Sequence, residues 1–172
     1  MHERPRAVLV IKMKVRKHTI SMLVEDQPGV LTRISGMFAR RGFNIDTITV
    51  GKTNHPWISK IVITVIGDDH TLEQVEKQIN KLIDVTKVSE MEGGIIRELC
   101  LIKVKAKDKK AKDDLFEYCR VYKAKFVDVN HTSMTIEVIG VPEKIDSFIE
   151  MIKSFGIIDM SRTGVTAIAR GG

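Results

Sequence analysis

The chain has 172 residues and a mass of 19.4 kDa, with 43% hydrophobic and 29% charged residues. That length accommodates one medium domain or two small ones of about 70–80 residues, and the composition excludes a chain disordered throughout. The net charge of +6 is concentrated at the start, where residues 1–17 hold six Lys/Arg against the single acid Glu3. Residues 18–96 hold more acids than bases, and in the mildly basic 97–172 the one candidate stretch, Lys105–Lys112, is interrupted or flanked by Asp108, Asp113 and Asp114, so the body shows little of the clustered basic face of a nucleic-acid binder.

No apolar run approaches the roughly 18–20 residues needed to cross a bilayer, and Ala7–Ile11 is too short for a signal-peptide core. The chain is therefore read as soluble and cytoplasmic, with no membrane partner. Two cysteines, Cys100 and Cys119, build no disulfide framework and fit no common zinc spacing; both read as small core residues. Met13 opens a second plausible start, and residues 1–17 read as an N-terminal extension.

In chain order, Ile20, Met22 and Val24 alternate as in a strand. Asp26-Gln27-Pro28-Gly29 then reads as a helix start, with Asp26 as cap and Pro28 in the first turn. Val30, Leu31, Ile34 and Phe38 follow at helical spacing, and Arg40-Arg41-Gly42 supplies the stop signals of terminal cations and a glycine. Ile45–Gly51 and Ile58–Ile66 read as strands around a turn at Thr53–Pro56. Thr71-Leu72-Glu73-Gln74 has the pattern of a capping box, with Leu72, Val75, Ile79 and Leu82 as the helical stripe behind it. Val85–Met91 closes the unit as a strand.

Glu92-Gly93-Gly94 opens a linker over 93–96. Beyond it the order repeats: strand Leu99–Val104, helix Asp113–Val121, strands Lys125–Val129 and Thr132–Gly140, helix Pro142–Phe155, and an extended Ile157–Ala169. The fold class is α+β, two ferredoxin-like βαββαβ domains in tandem over 18–92 and 97–172.

Catalytic signatures are absent. His2, His18, His55, His70 and His131 are scattered and share no ligand spacing, and there is no nucleophile elbow, phosphate loop or dinucleotide fingerprint. Aromatics make up 5%, too few and too dispersed for an RNA-binding sheet. The loop before the first helix is different. Unpaired amides at Gly29, Val30 and Leu31 suit an anion, the missing side chain at Gly29 lets a carboxylate approach, and Asp26 offers an oxygen to an ammonium. Together they suit a free amino acid. The same residues also satisfy a plain helix start, with Asp26 as cap and Gly29 relieving crowding.

Glu25-Asp26-Gln27-Pro28-Gly29-Val30-Leu31, followed by Phe38-Ala39-Arg40-Arg41-Gly42-Phe43-Asn44-Ile45, resembles the ligand-binding core of an ACT domain. Thr47–Gly51 and Leu72–Val85, with Arg97-Glu98-Leu99 and Ser161-Arg162-Thr163-Gly164-Val165 in the second half, resemble the small regulatory subunit of acetohydroxyacid (acetolactate) synthase over residues 18–171.

That resemblance implies a chain with no cofactor and no chemistry of its own. Its partner, the large catalytic subunit, carries thiamine diphosphate, Mg²⁺ and FAD and condenses pyruvate with pyruvate or 2-oxobutyrate. The small subunit raises that activity and confers feedback inhibition by a branched-chain amino acid, typically valine. It also implies a homodimer through side-by-side ACT domains. The effector then lies between Asp26, Gly29, Val30 and Leu31 of one copy and Asn44 and Ile45 of the other. Many members carry Asn at the position of Asp26, where an acid attracts the ammonium and repels the carboxylate. The competing readings are an ACT-type sensor acting on another enzyme or a transcription factor, and a small acylphosphatase-like enzyme. No helix-turn-helix segment supports a transcription role, and Glu25-Asp26 would repel phosphate from the loop where an acylphosphatase holds it.

Overall fold

The computed structural model describes residues 15–171. Most of the expected N-terminal extension, with Met13, lies outside the described residues. Its last two residues, Arg16 and Lys17, belong instead to the first strand, β1 (Arg16–Glu25). There follow α1 (Val30–Arg41), β2 (Ile45–Lys52), β3 (Ile58–Gly67), α2 (Asp69–Ile79) and β4 (Val85–Glu90). The second unit comprises β5 (Ile95–Lys105), α3 (Lys109–Tyr122), β6 (Lys125–Val129), β7 (Ser133–Gly140), α4 (Pro142–Ile152) with a 3-10 turn at Lys153–Phe155, β8 (Ile157–Arg162) and β9 (Thr166–Ile168).

Each unit forms an antiparallel sheet with its first strand inside: β2-β3-β1-β4 in one, β6-β7-β5-β8 in the other. This is the ferredoxin-like βαββαβ order, twice. In the first unit β1 pairs with β3 along its whole length, from Arg16 opposite Gly67 to Glu25 opposite Ile58. Ile20, Met22 and Val24 on β1, and Ile61, Ile63 and Val65 on β3, point to one face. There Ile34 and Phe38 of α1 and Val75 and Ile79 of α2 cover them. The second core has the same construction. Cys100, Ile102 and Val104 lie beneath Leu115 and Cys119 of α3 and Ile145, Phe148 and Ile152 of α4. Burial in that apolar layer pushes the Cys119 thiol up to about 11, the state of a core residue rather than a nucleophile.

Several local expectations are corrected. Asp26 does not cap α1. The cap position is Gly29, at φ +86° and with no side-chain bond, while the Asp26 amide donates to the Trp57 carbonyl at 2.7 Å. Pro28 explains the shift, because the residue before a proline is held out of the helical region and the helix cannot begin at Gln27. Thr71 is not the cap of α2 either. Asp68 caps it, its Oδ1 accepting from the Thr71 amide at 2.8 Å and the Thr71 hydroxyl at 2.7 Å, which holds the Asp68 carboxyl below its ordinary range. Residues 95 and 96, expected in the linker, are strand: Ile95–Arg97 pairs with Thr166–Ile168. The expected continuous extension over 157–169 is broken at 163–165 into β8 and β9.

The two units share a third, smaller cluster. Val62 on the face of β3 away from the helices, Met91, Val165 and Ala167 are buried together, with Ile96 against them. The end of the chain thus returns to cover the open face of the first sheet. One ion pair fixes α1 within its unit: Arg33 donates from Nε and Nη2 to the two carboxylate oxygens of Asp84, both at 2.7 Å. This fork ties the first turn of α1 to the turn before β4.

Two outcomes follow from these contacts. Phe148 is fully buried in the second core, so Phe148→Ala should cost about 3–5 kcal/mol. Hydrogen exchange should then show lost protection in β5, β7 and α4, with β1, β3 and α1 still protected. The Arg33 guanidinium holds the Asp84 carboxyl below its ordinary value, so the pair contributes stability above the unfolded pKa of about 3.9 and loses it as pH falls through the lower folded value. Asp84→Asn should therefore lower the melting temperature at pH 7, with the gap to wild type closing below about pH 4. A gap that is constant from pH 7 to pH 3 would show that the charge of Asp84 contributes nothing.

Candidate functional site

The six residues singled out from the sequence fall at the two ends of α1. Asp26, Gly29, Val30 and Leu31 precede or open it; Asn44 and Ile45 follow it, Ile45 as the first residue of β2. A helix of twelve residues spans about 18 Å at 1.5 Å per residue, so the two groups cannot touch one small ligand within a single copy. The structure brings the first four together by chain proximity and holds the other two apart from them.

At the opening of α1 the amides are only partly free. The Val30 amide donates to the Gln27 carbonyl at 3.4 Å, while among the described residues those of Gly29, Leu31 and Thr32 find no acceptor. Val30 is buried in the first core, so its side chain cannot meet a ligand; Leu31 projects outward, 46% exposed. Gly29 takes a left-handed φ of +86°, where a side chain is strained. A Cβ there would also lie 3.0 Å from Nη1 of Arg33. Glycine therefore serves two ends: it permits the turn, and it leaves the guanidinium lying over bare backbone. Arg33, held from the other side by Asp84, adds positive charge beside the free amides. It was not singled out from sequence, since only its partner 51 residues away fixes where it points.

Asp26 is exposed beside this helix start. It lines a hollow of about 260 Å³ with Lys52, Thr53, His55 and Trp57, at the tip joining β2 to β3. Trp57 there has φ +68° and is 82% exposed, a left-handed backbone at a bulky residue. At the far end of α1, Asn44 is exposed, and Ile45 packs at the margin of the first core opposite Val65. β2 itself is an edge strand, with Ile48 and Val50 exposed along it.

A larger cavity of about 440 Å³ lies between the two units, flanked by Lys17, Asp46, Glu98, Asp146 and Arg162. Lys17 Nζ sits 2.7 Å from Asp46 Oδ2 and holds that carboxyl below its ordinary range, helped by the Thr64 hydroxyl and by the charge of Arg162. Among the described residues no group of three or more His, Cys, Asp or Glu is placed to hold a metal ion. No helix among them is long and apolar enough to cross a membrane.

Comparison with known proteins agrees with this architecture unit by unit. Residues 20–87 match the family model described as AHAS small subunit-like ACT domain, and residues 97–171 match that described as small subunit of acetolactate synthase. A probable acetolactate synthase small subunit of Methanothermobacter thermautotrophicus is 46% identical over 164 residues, covering 94% of this chain and 98% of the relative. The acetolactate synthase small subunit of Mycolicibacterium smegmatis is 44% identical, covering 90% and 91%. The crystal structure of the small subunit from Thermotoga maritima superposes with a TM-score of 0.84 at 39% identity, covering 91% of this chain and 99% of that one. With both units matched and near-full coverage of the relatives, the chain belongs to the family of acetolactate synthase small subunits, the regulatory subunits built on an ACT domain.

Proposed function

We propose that this chain activates a thiamine-diphosphate-dependent catalytic subunit in the cytoplasm and makes it responsive to a branched-chain amino acid, valine first among the candidates. The catalytic subunit would supply thiamine diphosphate, Mg²⁺ and FAD and carry out the condensation of two 2-oxo acids. This chain would supply no reacting group.

The observation that carries the effector reading is the separation of Gly29 and Asn44 by the length of α1. Each is exposed, and Asn44 directly precedes β2, which among the described residues is an edge strand with an open side. A second copy set side by side, with its α1 running antiparallel, would bring its Asn44 to the Gly29 end of the first. A ligand carboxylate would then meet the free amides of Gly29 and Leu31 under the charge of Arg33. Asn44 of the other copy would add a side-chain amide, and the carboxylate of Asp26 would attract the ammonium. Val30 and Ile45 would contribute backbone only, since their side chains are committed to the core. An apolar side chain would rest against the exposed Leu31.

A ligand touching two copies binds the pair better than either copy alone, and linkage then requires it to tighten the pair by the same factor. Three measurements test the reading. Supplied with thiamine diphosphate, Mg²⁺, FAD and pyruvate, the isolated chain should make no acetolactate. Added to a large subunit it should raise the rate, and valine should lower it again. Asn44→Ala should remove one or two ligand hydrogen bonds of about 1 kcal/mol each, weakening calorimetric affinity roughly tenfold while leaving activation intact. Unchanged affinity in a folded Asn44→Ala chain would place the site elsewhere. Asn44 is the cleaner target than Gly29, because any side chain at Gly29 strains the backbone and displaces Arg33 as well.

A further inference from the structure

The segment Arg162-Thr163-Gly164-Val165 passes from one domain to the other in four residues, and each residue has a distinct contact. Arg162 closes β8 and donates from Nε to Glu98 Oε2 at 2.7 Å and from Nη1 to Asp146 Oδ1 at 2.6 Å. Glu98 is 4% exposed, so this guanidinium neutralises a carboxylate that burial would otherwise leave uncompensated. Thr163 is bound to β5: its amide donates to the Leu99 carbonyl at 2.9 Å, and its hydroxyl oxygen accepts from the Leu99 amide at 3.0 Å. Both residues are thus fixed to the second domain.

Gly164 meets the first domain. A Cβ built on it would lie 2.7 Å from the Ile48 carbonyl oxygen and 2.7 Å from the Thr49 hydroxyl, closer than real Cβ atoms come. Its backbone has no positive φ, so the glycine is required by this approach across the domain boundary and not by its own conformation. The Thr49 hydroxyl is buried there and finds no hydrogen-bond partner among the described residues. Val165 then enters the cluster with Val62 and Met91, and Thr166–Ile168 pairs with the start of β5. On the first domain the contact falls on β2, which among the described residues pairs only with β3 and which begins at Ile45, directly after Asn44.

We propose that Arg162–Val165 is a joint that fixes the second domain to strand β2, so that a displacement of β2 is carried into the second domain. Taken with the effector reading above, on which this consequence rests, the joint is the route by which a ligand at Asn44 shifts the second domain. Its two ends are bound differently. The Arg162–Glu98–Asp146 and Thr163–Leu99 bonds hold it to the second domain, whereas steric fit at Gly164 and apolar burial of Val165 hold it to the first. Small changes at Gly164 therefore act on the coupling and leave each core alone.

The test uses the full chain and the reconstituted holoenzyme with Gly164→Ala, and with Gly171→Ala as a control, since a Cβ at Gly171 meets nothing within 4 Å. In Gly164→Ala, hydrogen exchange should rise at least tenfold at Thr166–Ile168 while protection in α1, β1, α3 and α4 is kept. Calorimetric affinity for valine should stay within threefold of wild type, and maximal inhibition of acetolactate formation should fall to less than half. Gly171→Ala should change none of these. Unchanged exchange at Thr166–Ile168 would overturn the joint, as would raised exchange with full inhibition. A wild-type chain that binds no branched-chain amino acid removes the effector reading alone, and exchange then decides the joint by itself. If Gly164→Ala does not fold, Thr163→Val is read by the same measurements, since it removes the hydroxyl's bonds to Leu99 without adding bulk at the boundary.

Discussion

A four-stranded sheet has two faces, and in each half of this chain both helices lie on the same one. The other face of the first sheet must be covered from elsewhere, because β3 carries apolar residues on both sides: Ile61, Ile63 and Val65 toward the helices and Val62 away from them. Cover arrives from the far end of the sequence. Val165 and Ala167 pack over Val62 and Met91, about a hundred residues after the strand they protect. Among the described residues the second sheet receives no such cover, and Leu101 and Ile139 are exposed on its outer face. The two domains thus differ in kind. The first depends on the second for its outer layer, and that dependence puts the Arg162–Val165 segment against β2.

The placement of the candidate effector residues follows from helix geometry rather than from any tertiary detail. Twelve helical residues separate Gly29 from Asn44 by about 18 Å, and no loop rearrangement short of unwinding α1 would bring them onto one valine-sized molecule. α1 has reason to stay wound. Ile34 and Phe38 are buried, and the Arg33–Asp84 fork holds its first turn. The shared site proposed above would therefore follow from a rigid element with a candidate group at each end. A purely local site would need only the Gly29 end, and Asn44 would then serve the turn into β2.

Most elements were legible in the sequence because their signals are local. Alternation marked β1, helical spacing marked α1, α2 and α4, and Arg40-Arg41-Gly42 marked the end of α1 where it ends. What was not legible depends on residues distant in sequence or on competition between neighbours. Thr71 has the pattern of a cap, yet Asp68 three residues earlier outcompetes it as an acceptor. Asp26 is a good cap by type but is overruled by Pro28 two positions on. Arg33 looks like any solvent-facing helix residue until Asp84 is brought beside it, and Trp57 shows no sequence sign of its left-handed backbone. β9 was invisible as a separate strand because only its pairing to Ile95–Arg97, some seventy residues away, distinguishes it from a plain extension. Of the candidate site, the Gly29 loop was readable from residue types, whereas Asn44 and Ile45 came only from family resemblance.

The energetics of the proposed shared site would suit a two-state switch. Moving a two-state equilibrium from about 1:99 to 99:1 requires roughly 5.5 kcal/mol of differential binding. A pair of copies related by symmetry would have two equivalent sites, so each ligand needs to discriminate by about half of that. One or two charge-assisted hydrogen bonds from free backbone amides, at about 1.5–3 kcal/mol each, reach that figure without any deep pocket. β2 has a single neighbour to hold it in register, and its bulge between Ile45 and Thr47 already interrupts that pairing next to Asn44. Asp46, the residue in the bulge, is held by Lys17 and lies within the field of Arg162. The start of β2 is thus its least firmly paired part, while Ile48 and Thr49 bear against Gly164. A strand loosely held at the Asn44 end and tightly fitted at the domain boundary can carry a small displacement from one to the other.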